Sequence, residues 1–240
     1  MKKYFFFLII LTHSISAQYT NINIVKEIHT KDKGMVVCAH PLASEAGAKI
    51  LKMGGNAFDA AIATQFALAV VYPQAGNIGG GGFLIGYTNK GEKIALDYRE
   101  TAPKKASKDM YLDKNGNANT DLSQNGRLAV GIPGSVSGMY FTHQKYGKLP
   151  ISVLIQPAID LAEKGFALTE REANLLNATK EDFLKHNSHQ TAFTKETPWK
   201  QGDILVQKEL ANTLKLIQKN GKKAFYEGKN AQFLVAEMKR

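Results

Sequence analysis

Cysteine is nearly missing from this 240-residue chain: Cys38 stands alone. That excludes an intrachain disulfide and any metal site built from several cysteines. Cys38 lies in GMVVCAHP, a strand-like apolar run, and reads as a small buried hydrophobe. His40 follows two residues later, but the sequence identifies no third group to orient a Cys/His pair. The six histidines form no ligand set, since His186 and His189 lie three apart in KHNSHQ without nearby acids. No metal is expected, and no other cofactor.

Blocks of one charge sign are missing too. The formal charge is +10, yet nowhere do five or six basic residues accumulate, and Lys26, Glu27, Lys31, Asp32 and Lys33 show the usual mixture. A solvated basic surface is expected, with no nucleic-acid partner. The apolar run at residues 4–11 falls far short of the roughly 20 residues a bilayer span needs. With Lys2 and Lys3 before it and Ser14, Ser16 and Ala17 after it, it reads as a secretory signal peptide over residues 1–17, cleaved after Ala17. Loss of Lys2 and Lys3 takes the formal charge from +10 to +8. Residues 18–240 are then expected to be secreted or periplasmic, without membrane attachment. No repeat and no linker divides them, so one continuous architecture is expected.

Its first half alternates strand and helix. A strand over residues 35–39 precedes PLASEAGAKILKMGG, where Ala43, Ala46, Ile50 and Leu51 share a helical face and Gly54 and Gly55 end the helix. Asn56 is a good N-cap for AFDAAIATQFALAVVYP, and Asp59 in its first turn complements the helix dipole. This segment is apolar nearly all round, as a buried central helix is. Asp59, Thr64 and Gln65 interrupt it and Pro73 closes it, which argues against a membrane span. FLIGYT and KIALDY then form a hairpin around Asn89, Lys90, Gly91 and Glu92. Pairing Thr88 with Lys93 places Arg99 opposite Gly82.

The second half reads as helical. GSVSGMYFTHQKYG follows Pro133 and stops at Gly147, while ISVLIQPAIDLAEKG is either a helix kinked at Pro157 or a helix that starts there. LTEREANLLNATKEDFLK opens with a capping box, Thr169 and Glu172. KELANTLKLIQKNG is amphipathic with a glycine stop, and KNAQFLVAEMKR carries a helix to the last residue without a cap. Asn177-Ala178-Thr179 fits an N-glycosylation acceptor, relevant only to a eukaryotic secretory route.

Four glycines in a row, Gly79, Gly80, Gly81 and Gly82 in QAGNIGGGGFLIGY, cost folding entropy and so need a reason. A phosphate loop requires Lys and Ser/Thr after its last glycine and a helix to follow; here Phe83 and a strand follow. A dinucleotide fingerprint fails on the same context. With Arg99 emerging beside them, the glycines would leave a backbone-lined floor next to a guanidinium, where a carboxylate fits. The competing reading pairs Arg99 with Glu100 or Asp97 at the surface.

Four blocks carry a further signal. HPLASEAGAKILKMGGNAFDAAIATQFALAVVYPQAGNIGGGGFLIGY, ALDYRETAPKKASKDMYLD, GRLAVGIPGSVSGMY and LPISVLIQPAIDLAEKGFAL together resemble, in order and interval, the large subunit of gamma-glutamyltranspeptidases. The resemblance runs from about Lys33 to the end. It implies an α+β fold of the N-terminal nucleophile hydrolase type, a four-layer αββα sandwich represented here by an incomplete large-subunit portion. It also implies a precursor that cleaves itself into large and small subunits, and transfer or hydrolysis of the gamma-glutamyl group of glutathione and related amides. Acceptors would be amino acids, peptides or water.

In that family the nucleophile is a threonine at the small subunit's new N terminus, with its own amino group as base. The family's Arg-Glu-x-Ala-Pro motif reads here Arg99, Glu100, Thr101, Ala102, Pro103, so Arg99 inherits the binding of the donor's α-carboxylate, with Gly79, Gly80, Gly81 and Gly82 shaping the pocket. The sequence has no Thr-Thr pair and stops at Arg240, before such a large subunit is complete. The resemblance therefore implies a fragment with no catalytic residue of its own, inactive without the small subunit. Rival readings are a glutaryl or cephalosporin acylase-like amidase of the same superfamily and a non-catalytic, decayed secreted paralogue.

Overall fold

In the computed structural model, residues 28–30, 34–187 and 189–239 are described. The signal-peptide expectation lies outside them. Strands β1 (Ile28–Thr30) and β2 (Gly34–Val36) pair antiparallel and lead into helices α1 (Pro41–Lys52) and α2 (Ala57–Val71). The hairpin β3 (Phe83–Tyr87) and β4 (Lys93–Asp97) follows, then α3 (Thr120–Gln124) and a 3-10 turn, Arg127–Ala129. Next come α4 (Ser135–Tyr146), α5 (Ile151–Lys164), β5 (Phe166–Ala167), α6 (Glu170–Ala178) and α7 (Lys180–His186). Strand β6 (Ile204–Leu205), paired with β5, precedes α8 (Lys208–Asn220), α9 (Lys223–Tyr226) and α10 (Lys229–Met238). Mixed helix and sheet is the expected α+β class. Among the described residues the strands form three separate two-stranded antiparallel sheets, so the stacked sheets of the sandwich are not completed by these strands alone.

Helix α2 is the centre. Ala60, Ile62, Ala63, Phe66, Ala67, Val70 and Val71 are all buried, because α1, α4 and α5 pack around it. Gly47 on α1 is what lets α2 approach: a Cβ there would lie 3.1 Å from the Ala60 carbonyl oxygen. The Asn56/Asp59 pair forms a full capping box. Asp59 does more than complement the dipole. It is 0% exposed, and its carboxylate accepts from Asn56 N at 3.0 Å, Lys148 N at 3.0 Å and Leu149 N at 3.2 Å. This ties the start of α2 to the loop between α4 and α5.

Several boundaries differ from the sequence reading, each for a local reason. The strand expected over residues 35–39 ends at Val36, because the chain turns to cap α1. His40 is the N-cap, its Nδ1 accepting from Leu42 N at 3.2 Å. Its Nε2 lies 3.0 Å from Glu172 Oε1. Cys38 is half-buried rather than buried, its Sγ donating to the His40 carbonyl at 3.2 Å and contacting Ser44 Oγ at 3.1 Å. The imidazole thus serves a helix end and a glutamate, not the thiol. Pro157 sits inside one continuous helix, α5. The segment after Thr169 breaks into α6 and α7 at Thr179, whose hydroxyl donates to the Leu175 carbonyl at 2.9 Å. Asn177 is no free glycan acceptor: its amide donates to the Trp199 carbonyl at 2.9 Å and accepts from Trp199 N at 2.8 Å.

The hairpin register is shifted by one residue from expectation. Tyr87, not Thr88, faces Lys93. Thr88 N donates to the Glu92 carbonyl at 3.0 Å and Gly91 adopts φ +85, so the loop is residues 89–91 with a left-handed glycine at its end. Tyr98 N therefore bonds the Gly82 carbonyl at 3.0 Å, and Arg99 moves on to face Gly81.

Candidate carboxylate-binding site

The glycine run and the end of β4 meet as a close backbone crossing. A Cβ on Gly81 would sit 2.5 Å from Arg99 Cα and would overlap Glu100 N; one on Gly82 would sit 2.8 Å from the Tyr98 ring. The space at these two positions is filled by the protein's own chain. At Gly79 nothing lies within 4 Å, and at Gly80 the nearest atom is the Asn77 amide oxygen, 2.7 Å away. The Gly80 carbonyl accepts from Gly134 N at 2.7 Å and Ser135 N at 2.9 Å, so the start of α4 is docked on the glycine run.

Arg99 is fixed on both sides. Tyr98 N is bonded to Gly82, Arg99 N donates to Asp97 Oδ1 at 2.9 Å, and Thr101 pairs with Ile132 through bonds of 3.2 and 2.8 Å. The Arg99 side chain is exposed, and its guanidinium has no hydrogen bond or ion pair among the described residues. The surface pairing with Glu100 or Asp97 is not formed. A guanidinium on a hydrogen-bonded backbone, with its five donors unspent, has the chemistry to pair a carboxylate.

Arg99 lines a groove of about 520 Å³ between the end of β4, the start of α4 and α9. Gly134 and Gly138 line this groove, with Ser137 beside them and Lys222 and Lys223 on the far wall. Gly81 opens instead onto a larger cavity of about 710 Å³ over the small-residue face of α2, to which Arg99 does not contribute. That cavity is bigger but, among the described residues, is lined by no carboxylate, lysine, arginine or histidine, whereas Asp97, Arg99, Lys222, Lys223 and Glu227 line the groove. The expectation of a tetraglycine floor beneath the guanidinium is corrected accordingly: the run shapes the site by admitting the arginine strand and anchoring α4, while Gly134 and Gly138 lie in the groove itself.

Sequence reasoning missed Tyr98, Gln65, Gly134, Gly138 and Tyr226. Tyr98 packs where Gly82 and Gly138 lack side chains, and a Cβ on Gly134 would overlap its carbonyl oxygen. Its hydroxyl donates to Gln65 Oε1 at 3.1 Å, and burial raises its pKa more than that bond lowers it. Tyr226 accepts from Ser137 N at 3.0 Å and donates to the Pro133 carbonyl at 3.1 Å, its pKa likewise raised by burial against the Ser137 bond. Two signals were available: Tyr98 is an aromatic residue directly before Arg99 in KIALDYR, and Gly134 and Gly138 are one helical turn apart. Among the described residues no group of three or more His, Cys, Asp or Glu is placed to hold a metal ion, and no helix is long and apolar enough to cross a membrane.

Comparison with known proteins matches residues 43–240 to the gamma-glutamyltranspeptidase family. The chain is 46% identical over its whole length to a glutathione hydrolase proenzyme from Pseudomonas sp. (strain A14), but spans 42% of that protein. Its fold is similar to a Helicobacter pylori gamma-glutamyltranspeptidase, with a TM-score of 0.85 and 50% identity over 88% of this chain and 61% of that one. A cephalosporin acylase from Bacillus halodurans shares the fold at 26% identity and a TM-score of 0.75, covering 95% of this chain and 42% of that one. These neighbours carry the N-terminal nucleophile hydrolase type of fold, of which this chain holds a portion. On sequence and fold together, the chain belongs to the gamma-glutamyltranspeptidase family.

Proposed function

We propose that this chain is the donor-binding part of a gamma-glutamyl hydrolase or transferase made as a secreted or periplasmic precursor, with Arg99 holding the α-carboxylate of the gamma-glutamyl donor. The observation that carries the reading is the unpaired guanidinium on a backbone fixed by Gly82, Asp97 and Ile132. Arg supplies two parallel N–H donors to one carboxylate and stays charged at any working pH.

The chemistry is an acyl transfer. A threonine hydroxyl from the small subunit, outside this chain, adds to the γ-carbonyl carbon and gives its proton to that subunit's terminal amine. Breaking the amide bond passes the proton to the leaving group, glutathione's cysteinylglycine for instance. Water or the amine of an amino acid or peptide then takes the acyl group. Arg99 fixes the far end of the donor so that the γ-carbonyl is presented in register. The chain alone has no nucleophile and is inactive without its partner subunit. The acylase reading has weaker support, since identity falls from 50% to 26% between the two structural neighbours.

The test is Arg99→Ala in the full-length protein, assayed with a gamma-glutamyl anilide. Loss of a charge-assisted pair raises KM on the order of 10- to 100-fold, with kcat changed much less. Unchanged KM refutes the assignment. A glutaryl anilide, which keeps the carboxylate but lacks the α-amine, separates the acylase reading: an acylase prefers it to the gamma-glutamyl donor.

A further inference from the structure

The geometry points to Tyr98 and Gln65 as positioning residues that aim Arg99, and so set the selectivity for donors bearing an α-carboxylate. The inference rests on Arg99 as the carboxylate receptor.

Tyr98 is the residue before Arg99, just past the end of β4: its hydroxyl turns back to α2, while the Arg99 side chain is exposed. The Tyr98 ring is pinned by absences. A Cβ on Gly138 would lie 2.6 Å from its Cδ2 and 2.7 Å from its Cβ, and one on Gly82 would lie 2.8 Å from its Cε2. Only glycine at these positions leaves room for the ring. The ring's one polar atom then reaches α2, where Gln65 accepts its proton at 3.1 Å. Since α2 is the buried centre of the molecule, this bond ties the segment next to Arg99 to the packed core.

The rest of Arg99's support is local to loops and the strand end. The Asp97 contact spans two residues and is exposed, and the Thr101 bridge to Ile132 joins two irregular segments. The Tyr98 hydroxyl thus links the segment next to Arg99 to α2 through a side-chain hydrogen bond. A receptor must be held within about half an ångström of its productive position by such supports. Without that link the guanidinium remains, but its aim broadens. The loss should fall on donors that use the guanidinium and leave other donors untouched.

The experiment uses Tyr98→Phe and Gln65→Met in the full-length protein, both near-isosteric, with Arg99→Ala alone and combined with Tyr98→Phe. Two donors are compared: a gamma-glutamyl anilide, and 4-aminobutyryl anilide, which keeps the amine and lacks the α-carboxylate. Expected is a rise of about 2- to 10-fold in KM for the first donor, the fold-change of one net hydrogen bond, with kcat and the second donor's kcat/KM unchanged. In the Arg99→Ala background, Tyr98→Phe should add nothing further. Equal losses on both donors, or a Tyr98→Phe effect that persists without Arg99, overturn the positioning role. If Arg99→Ala leaves the discrimination between the donors intact, the receptor assignment itself fails, and this outcome is distinct from the others.

Discussion

Asp59 and Arg99 are both charged residues on closely held backbone, and they end in opposite situations. Asp59 begins the central helix, is wholly buried, and accepts from three backbone N–H groups, two of them 89 and 90 residues away. Arg99 lies two residues past the end of β4, is exposed, and has no partner for its guanidinium among the described residues. A charge whose bonding capacity is used up by its own chain belongs to the fold. One whose backbone is fixed while its donors stay unused is left for something else to satisfy. The difference separates a structural charge from the proposed binding residue without reference to any relative.

The strongest way to break this comparison is to remove each side chain in turn. Asp59→Ala leaves Asn56 N, Lys148 N and Leu149 N without their acceptor in a buried place. The expected cost is about 3 kcal/mol of unfolding free energy or more. Arg99→Ala should stay within about 0.5 kcal/mol of wild type while its KM effect is large. Denaturant melts of both variants decide it, and similar destabilisation by the two would erase the distinction.

A second contrast lies among the glycines. At Gly134 a methyl group would overlap the Tyr98 carbonyl oxygen, an atom that cannot swing aside, whereas at Gly79 nothing lies within 4 Å. Gly134→Ala is expected to cost about 1–3 kcal/mol by overpacking and to raise the donor's KM by shifting the Arg99 strand. Gly79→Ala should leave stability within about 0.5 kcal/mol. Equal thermal shifts for the two would mean that the close crossing at Tyr98 does not constrain the strand.

These same residues show how far the sequence could be read. The capping box at Thr169/Glu172 and the N-cap at Asn56 were legible because these signals span at most four residues and the chemistry is local, whereas the reciprocal bond from Asp59 that completes a box at Asn56 was read only as a dipole effect. What those acids do next was not. Asp59 bonds Lys148 and Leu149, and Glu172 meets His40, contacts that no local pattern records. The hairpin was legible as an element, but its register turned on whether Gly91 or Glu92 closed the loop, a matter of one left-handed φ. Arg99 was singled out by its motif and by strand arithmetic that missed by one. The glycine run was recognised as meaningful, but half its purpose, admitting Tyr98 and the Arg99 backbone, depends on tertiary approach.

The smallest effect expected sits at the His40–Glu172 contact, where a charged group is neither buried and saturated like Asp59 nor free like Arg99. Because His40 Nδ1 accepts from Leu42 N, the ring's proton lies on Nε2, facing Glu172 Oε1 at 3.0 Å. Burial pushes the Glu172 carboxyl up, but bonds from His40, from Thr169 N and from the Thr169 hydroxyl outweigh it and hold the pKa below its ordinary value of 4.5. A lowered folded-state pKa means stability that is fully present above pH 4.5 and lost as pH falls through the folded value. Glu172→Gln keeps the shape and removes the charge, so it should cost under about 1 kcal/mol at pH 7. The gap between wild type and variant should then close as pH falls from 7 to well below 4.5, through the lowered folded-state pKa, where the wild-type carboxyl takes up its proton. Urea midpoints of the two proteins at both ends of that range measure it, and a gap that does not change with pH would show that the contact stabilises by packing alone.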